Sequence, residues 1–127
     1  HEHVKEQISH LIRSNTDQNF EQIIIPTSNG MVFTQLQDIV RLESYGNYCF
    51  VFLKNGDRIL SIQNLKFYDE ILPESFFYRI HQSHIIHKKH IKKVIHQEGD
   101  FVEMSDAVKV PIARRRKEEF LHLMKGI

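Results

Sequence analysis

The chain of 127 residues is 41% hydrophobic and 26% charged, which is the composition of a single globular domain. Its one cysteine, Cys49, excludes an intramolecular disulfide, and no apolar run approaches the ~20 residues that a membrane-spanning helix needs. The formal net charge is only +1, but residues 79–127 hold 11 Lys and Arg against 6 Asp and Glu. A polyanionic partner would meet the second half of the chain, unless both halves fold together and the charges only solvate one domain. We expect no membrane contact.

The first 20 residues are predicted to form an amphipathic helix. Apolar residues recur there at the i, i+4, i+7, i+8 spacing of one helix face, at Val4, Ile8, Leu11 and Ile12. The chain does not begin with Met and shows no secretory signal, so we expect it to be part of a longer protein. Residues 1–20 are then either a linker from an upstream domain or a helix packed on the domain of residues 21–127.

Most of the remaining sequence is typical of short β-strands separated by turns. Runs of β-branched and aromatic residues are interrupted by pairs such as Asn29-Gly30 and Asn55-Gly56, which favour tight hairpin turns. Strands are predicted at 22–26, 31–33, 39–44, 48–53, 58–62, 91–97, 101–104 and 108–112. Pro111 lacks a backbone donor, so we expect it at a sheet edge or at the end of a strand.

Two helices are predicted after the first strands. Residues 63–72 carry an apolar stripe at helical spacing and are followed by a proline, which stops a helix. Residues 113–125 form the second helix, with Phe120, Leu121 and Met124 on its inward face. The pattern therefore predicts a mainly β domain with one or two small helices and with helices flanking both ends.

The segment Phe76–Ile91 is predicted to begin as an extended strand that presents polar groups on an outer surface, and to turn at Lys88-Lys89-His90. Side chains alternate between the two faces of an extended chain, so Ile80 should point inward while Arg79 and His81 point outward. Arg, His, Gln and Ser side chains from this segment can donate to phosphates or to base edges.

The run Arg114-Arg115-Arg116-Lys117 is the most unusual local pattern. Four cations open a predicted helix, although the partial positive charge of a helix N-terminus disfavours them by some tenths of a kcal/mol. A phosphate backbone would offset that cost, because it attracts both the cations and the helix N–H groups. The alternative is a solvated charge run that Glu118 and Glu119 balance.

These motifs together resemble the LytTR family, the LytR/AgrA-type DNA-binding domain of bacterial response regulators. The resemblance covers residues 22–125. The segments that carry it are Ile39–Ser44, Tyr48–Leu53, Asn64-Leu65, the F-x-R-x-H-x-S pattern of Phe77–Ser83, and Val110-Pro111-Ile112 with Arg114-Arg115. It implies short antiparallel sheets set side by side in an elongated unit, with connecting loops projecting from one side.

The resemblance also implies which residues bind DNA. Arg114, or Arg115 one position later, would grip the O6/N7 edge of a guanine, and Gln82 would contact an adenine. The implied DNA-binding set is Asn47, Tyr48, Arg79, His81, Gln82, Ser83, Lys88, Arg114, Arg115 and Lys117. The alternatives are that Asn47 belongs to a plain β-turn, that Gln82 is an ordinary exposed strand residue, and that Ser83 makes a hydrogen bond within a turn. Arg79 could instead be a structural ion-pair partner.

The implied function is sequence-specific binding of double-stranded DNA by the output domain of a two-component response regulator, in the bacterial cytoplasm. A receiver domain would precede residue 1, and its phosphorylation would promote a homodimer on promoter direct repeats. The sequence contains no phosphate-binding Gly-rich loop, Cys-x-x-Cys pair or nucleophile elbow. We therefore expect neither an enzymatic activity nor a cofactor.

Four histidines support an alternative function. His81, His84, His87 and His90 recur every three residues and could form a ligand- or metal-sensing site. In an extended chain, however, His81 and His87 would face away from His84 and His90, so we expect no metal site. A third possibility is a protein-interaction domain that uses its sheet edges.

Overall fold

The chain forms three antiparallel sheets in a computed structural model that describes residues 11–13 and 21–125. The first sheet contains, in spatial order, β1 (Leu11–Arg13), β2 (Glu21–Thr27) and β3 (Gly30–Gln35). The central sheet is built from β4 (Ile39–Tyr45), β5 (Tyr48–Leu53), β6 (Arg58–Ser61), β7 (Phe77–His81) and β8 (His84–His87). The third sheet is built from β9 (Ile91–Ile95), β10 (Phe101–Met104) and β11 (Lys109–Pro111). The spatial orders of the last two are β6-β5-β4-β8-β7 and β11-β10-β9.

Two α-helices and three short 3-10 turns connect the strands. Helix α1 spans Leu65–Ile71, and helix α2 spans Lys117–Lys125. The 3-10 turns lie at Leu36–Asp38, Lys88–His90 and Arg114–Arg116. Asn64 caps the N-terminus of helix α1. Its Oδ1 accepts a hydrogen bond from the Phe67 amide at 2.9 Å and so satisfies one of the free donors of the first turn.

The predicted mainly β architecture is confirmed. Strand β5 has the predicted bounds, and β11 lies at a sheet edge as Pro111 indicated. The predicted N-terminal helix is wrong at Leu11–Arg13, because these residues pair with the edge of β2 and form strand β1. Residues 1–10 and 14–20, which complete the predicted helix or linker, lie outside the described residues.

The predicted continuous strand that starts at Phe76 is also wrong in part, although the turn predicted at Lys88–His90 is confirmed. The chain turns back at Gln82-Ser83, so that β7 and β8 form a hairpin in which His81 lies opposite His84. A two-residue turn is enough to connect two antiparallel strands. The apolar residues before and after this turn lie in the same sheet. Ile80 points inward as predicted and is fully buried.

Both faces of the central sheet are buried around β8. Neighbouring residues of β8 show this, because Ile85 packs toward the first sheet and α1, while Ile86 packs toward the third sheet and α2. Tyr68 is buried in the first cluster and Phe120 in the second. Each of these side chains contributes about 1.5–3 kcal/mol when fully buried. The central strands are therefore held by one hydrophobic core on each face of the sheet.

Candidate nucleic-acid interface

Two turns of the central sheet lie side by side at one end. Strand β4 runs antiparallel to β8 with Glu43 opposite His84, which brings the β4–β5 turn (Gly46-Asn47) to the same end as the β7–β8 turn (Gln82-Ser83). The amide of Ser44 donates to the carbonyl oxygen of Ser83 at 2.9 Å. Two segments that are far apart in the sequence are thereby fixed beside each other.

The arginine run is attached to the same end of the sheet. The amide of Ala113 donates to the carbonyl oxygen of Ile80 at 3.0 Å, two residues before Gln82. Arg114–Arg116 then form a 3-10 turn ahead of α2, with Arg114 and Arg115 exposed. The predicted helix is therefore confirmed only from Lys117 onward, and three of the four cations precede it.

Five of the expected DNA-binding residues are exposed at these turns. They are Asn47, Tyr48, Gln82, Arg114 and Arg115. Within residues 21–125 the structure gives none of these side chains a hydrogen bond or an ion pair. An exposed amide or guanidinium without an intramolecular partner can donate to a base edge or a phosphate at no cost in protein contacts.

Arg79 and His81 instead bond to the turn itself. Arg79 Nη2 donates to the carbonyl oxygen of Gln82 at 2.7 Å, and its Nη1 lies 3.3 Å from Asp69 Oδ2 of α1. The Nδ1 atom of His81 accepts a hydrogen bond from the amide of Ser83 at 3.1 Å. These contacts hold the backbone from which Gln82 projects. They match the structural ion-pair role that the sequence left open for Arg79.

His84 lies beneath the turn, beside Glu43. Burial lowers the pKa of His84 from its ordinary value, and the nearby Glu43 carboxylate opposes that shift in part. The distance from His84 Nδ1 to Glu43 Oε1 is 3.9 Å. The hairpin therefore favours the neutral form of this imidazole.

Lys88 does not lie with the other expected site residues. It follows β8 at the end of the hairpin opposite Gln82, and its Nζ donates to the carbonyl oxygen of Glu74 at 3.0 Å. A continuous strand would have placed Lys88 farther along one surface, whereas the hairpin returns it to the far end of the sheet.

The four histidines form two neighbouring pairs, which corrects the prediction that they alternate between faces. The rings of His81 and His84 are 5.4 Å apart across the hairpin, and those of His87 and His90 are 4.9 Å apart across the 3-10 turn. Neither arrangement arises in an extended chain. In the described part of the chain, no group of three or more His, Cys, Asp or Glu side chains is placed to hold a metal ion.

A fourth segment, which the sequence did not single out, adjoins the arginine run. The amide of Ile112 donates to the carbonyl oxygen of Asp100 at 2.9 Å. The Asp100 carboxylate lies 2.7 Å from His96 Nδ1 and 3.1 Å from Lys117 Nζ. Hydrogen bonds from His96 and Lys117 hold the pKa of Asp100 below its usual value. The sequence showed only a turn at Glu98-Gly99-Asp100, which carries no sign of a contact with residue 117.

The structure also bears on membrane insertion. No helix among residues 11–13 and 21–125 has the length and apolar character required to cross a bilayer.

Comparison with known proteins identifies the family and agrees with the fold. The family model of the LytTr DNA-binding domain matches residues 29–125. The chain is 28% identical over 106 residues to the heme-containing CO-sensing transcriptional regulator RcoM 1 of Paraburkholderia xenovorans (strain LB400), covering 81% of this chain and 39% of that protein. A solved LytTr DNA-binding domain from Bacillus cereus superposes with a TM-score of 0.70 at 20% identity, covering 81% of this chain and 95% of that one. The chain belongs to the LytTR family of DNA-binding domains.

Proposed function

We propose that this domain binds duplex DNA in a sequence-specific way through the end of the central sheet that carries the Gly46-Asn47 turn, the Gln82-Ser83 turn and the arginine run. The observation that carries the proposal is the backbone hydrogen bonding that fixes these three segments to one rigid sheet. The Ser44–Ser83 bond joins the first two, and the Ala113–Ile80 bond joins the third. Specific recognition requires such rigidity, because base contacts tolerate little displacement.

The exposed side chains divide into base readers and phosphate binders. Arg114 presents a planar guanidinium that suits the O6/N7 edge of guanine, with Arg115 as the adjacent candidate. Gln82 and Asn47 carry amides, which pair with the N6/N7 edge of adenine. Tyr48 and Lys117 would contact the DNA backbone, through the phenol hydroxyl and the ammonium group respectively. A major groove about 12 Å wide admits a protruding turn of this kind.

We further propose that the domain is the output module of a response regulator that controls transcription. Membership of the LytTR family supports this role. The chain spans 39% of the length of the RcoM relative, so a sensing or receiver domain in the same protein is part of the proposal. Phosphorylation of such a receiver would bring two output domains onto direct repeats in the bacterial cytoplasm.

Selection from a random duplex pool tests the DNA-binding proposal, because the domain itself then identifies the sequence that it prefers. The isolated domain should enrich a short motif. The logarithm of the affinity for the selected duplex should then fall linearly with the logarithm of the salt concentration, at roughly −0.9 per neutralised phosphate. With about four to seven phosphates engaged, the total slope should be about −4 to −6. A pool that stays random, or an affinity that is flat in salt, would overturn the proposal.

A further inference from the structure

Four segments lie in series at the end of the central sheet. The Ser44–Ser83 bond joins the first two turns, and the Ala113–Ile80 bond joins the second turn to the arginine run. The Ile112–Asp100 bond adds the β9–β10 turn, which we define as His96–Asp100. The neighbouring amides of Ile112 and Ala113 donate to Asp100 and Ile80, respectively. The start of the arginine run therefore lies between the β7–β8 hairpin and the β9–β10 turn.

Asp100 is the one residue of the β9–β10 turn that contacts a cation of the neighbouring segment, among the residues that the structure describes. Its Oδ2 lies 3.1 Å from Lys117 Nζ, and its Oδ1 lies 2.7 Å from His96 Nδ1. The side chain of Lys117 is 41% exposed, so it reaches solvent even while Asp100 holds it. Lys117 is also the first residue of α2, directly after the exposed arginines.

We propose that Asp100 determines DNA specificity by competing with phosphate for Lys117. In the free domain the carboxylate occupies one of the three donors of the ammonium group. On DNA, Lys117 exchanges Asp100 for a phosphate, or bridges the two where the phosphate is correctly placed. The inference rests on the proposed DNA binding and deepens it.

The exchange weakens nonspecific binding more than specific binding. A free exposed lysine attracts any phosphate, and counterion release rewards each such contact on any sequence. A lysine that must leave a carboxylate gains little, because one exposed ion pair replaces another of similar strength. Only a complex that fixes the phosphate by base contacts elsewhere lets Lys117 satisfy both anions. His96 remains bonded to Asp100 throughout, so the carboxylate is never left without a partner.

Two isosteric variants separate this role from a general effect of charge. Asp100→Asn removes the charge and keeps the backbone carbonyl that accepts from Ile112. Glu98→Gln removes the same charge two residues away in the same exposed turn, and within residues 21–125 the structure gives Glu98 no ion pair. Both variants are to be measured on the selected duplex and on a scrambled one, over a range of salt concentrations.

Asp100→Asn should bind the scrambled duplex about threefold to tenfold more tightly, with a salt slope steeper by about one, because one more phosphate contact becomes available. The selected duplex should gain less, so discrimination falls. Glu98→Gln should raise both affinities to a similar, smaller degree and leave the slope unchanged. In a Lys117→Ala background, Asp100→Asn should act no differently from Glu98→Gln, as a double-mutant cycle requires for an effect carried by one pair.

The inference is overturned if Asp100→Asn and Glu98→Gln behave alike, or if Asp100→Asn keeps its full effect without Lys117. A readout without DNA tests the contact itself. NMR titration of the Asp100 carboxyl should show a higher pKa in Lys117→Ala than in the unaltered domain, and an unchanged pKa would overturn the inference while leaving DNA binding intact. An unaltered domain that binds no duplex would remove the proposed function, and this inference with it.

Discussion

The Nε atom of Arg41 lies 2.9 Å from Oδ2 of Asp106, and this pair joins the central sheet to the turn between β10 and β11. The Arg41 side chain is only 5% exposed. Its Nη1 also donates to Glu43 at 3.0 Å, and its guanidinium lies 3.8 Å from the centre of the Phe52 ring. The third sheet, which carries the start of the arginine run, is thus tied to the central sheet by an ion pair as well as by apolar packing.

Arg41→Ala should lower the free energy of unfolding by about 2–4 kcal/mol. The substitution removes the one guanidinium that both the Asp106 and the Glu43 carboxylate contact, and it removes a buried stem. Arg58→Ala is the matched control, because Arg58 also stacks on a phenylalanine of β5, at 4.6 Å, but is exposed. It should cost at most about 1 kcal/mol. Urea denaturation measures both, and equal losses would show that the Arg41 ion pair contributes nothing.

Arg114→Ala should weaken binding to the selected duplex by about 1–3 kcal/mol and relax the preference at one base pair, because a paired contact to a base edge is lost. The scrambled duplex should lose much less. Lys54→Ala serves as the control for lost charge, since Lys54 lies at the opposite end of β5 and pairs with Asp38 at 3.1 Å. Equal losses on both duplexes would make Arg114 a backbone contact and move base reading to Arg115 or Gln82.

Arg79→Ala should weaken specific binding without changing the salt slope. Arg79 holds the Gln82 carbonyl and Asp69, and it therefore acts by positioning the turn rather than by neutralising a phosphate. Arg79→Lys should rescue little, because a lysine lacks the planar fork that reaches both partners. A slope that falls by about one in Arg79→Ala would instead place the guanidinium on a phosphate.

The stability of the domain should fall as the pH drops from about 6.5 toward 4. Burial, with help from nearby His90 and Lys89, lowers the pKa of His87 from 6.5 to about 4. Its Nδ1 accepts from the amide of Lys89 at 3.1 Å, which fits the neutral ring. Between the two pKa values the unfolded chain binds more protons than the folded one. The stabilisation that neutral His87 provides is therefore fully present above pH 6.5. Below that pH the free energy of unfolding decreases, by up to about 1.4 kcal/mol per pH unit.

The variant His87→Asn tests this origin of the acid sensitivity. Asn keeps an acceptor for the Lys89 amide and does not titrate. Its unfolding free energy should be lower at neutral pH, since ring packing against Phe77 is lost, but should change less between pH 6.5 and 4. A pH dependence as steep as that of the unaltered domain would assign the effect to other groups, of which the half-buried His84 is the first candidate.

Local patterns in the sequence predict most of the strands, because alternation and turn residues act within a few positions. Examples are strand β5 (Tyr48–Leu53) and the C-terminal helix, which buries Phe120 on its inward face. The hairpin at Gln82-Ser83 is not predictable in this way, because the pair lacks the Gly or Asn that favours a two-residue hairpin turn. The reversal therefore depends on pairing across the sheet. The contact between Asp100 and Lys117 joins two segments through tertiary packing alone. No pattern of residue spacing along the chain predicts an ion pair of that kind.

Mapping the DNA on the domain by amide NMR is the measurement that tests the central claim most directly. The selected duplex should perturb the amides of Gly46-Asn47, Gln82–His84 and Ala113–Lys117. The Asn55–Asp57 turn and the Lys88–His90 turn, at the opposite end of the central sheet, should keep their resonance positions. Perturbations centred on those two turns, or on the exposed strand β3, would contradict the proposal that DNA binds at this end of the central sheet.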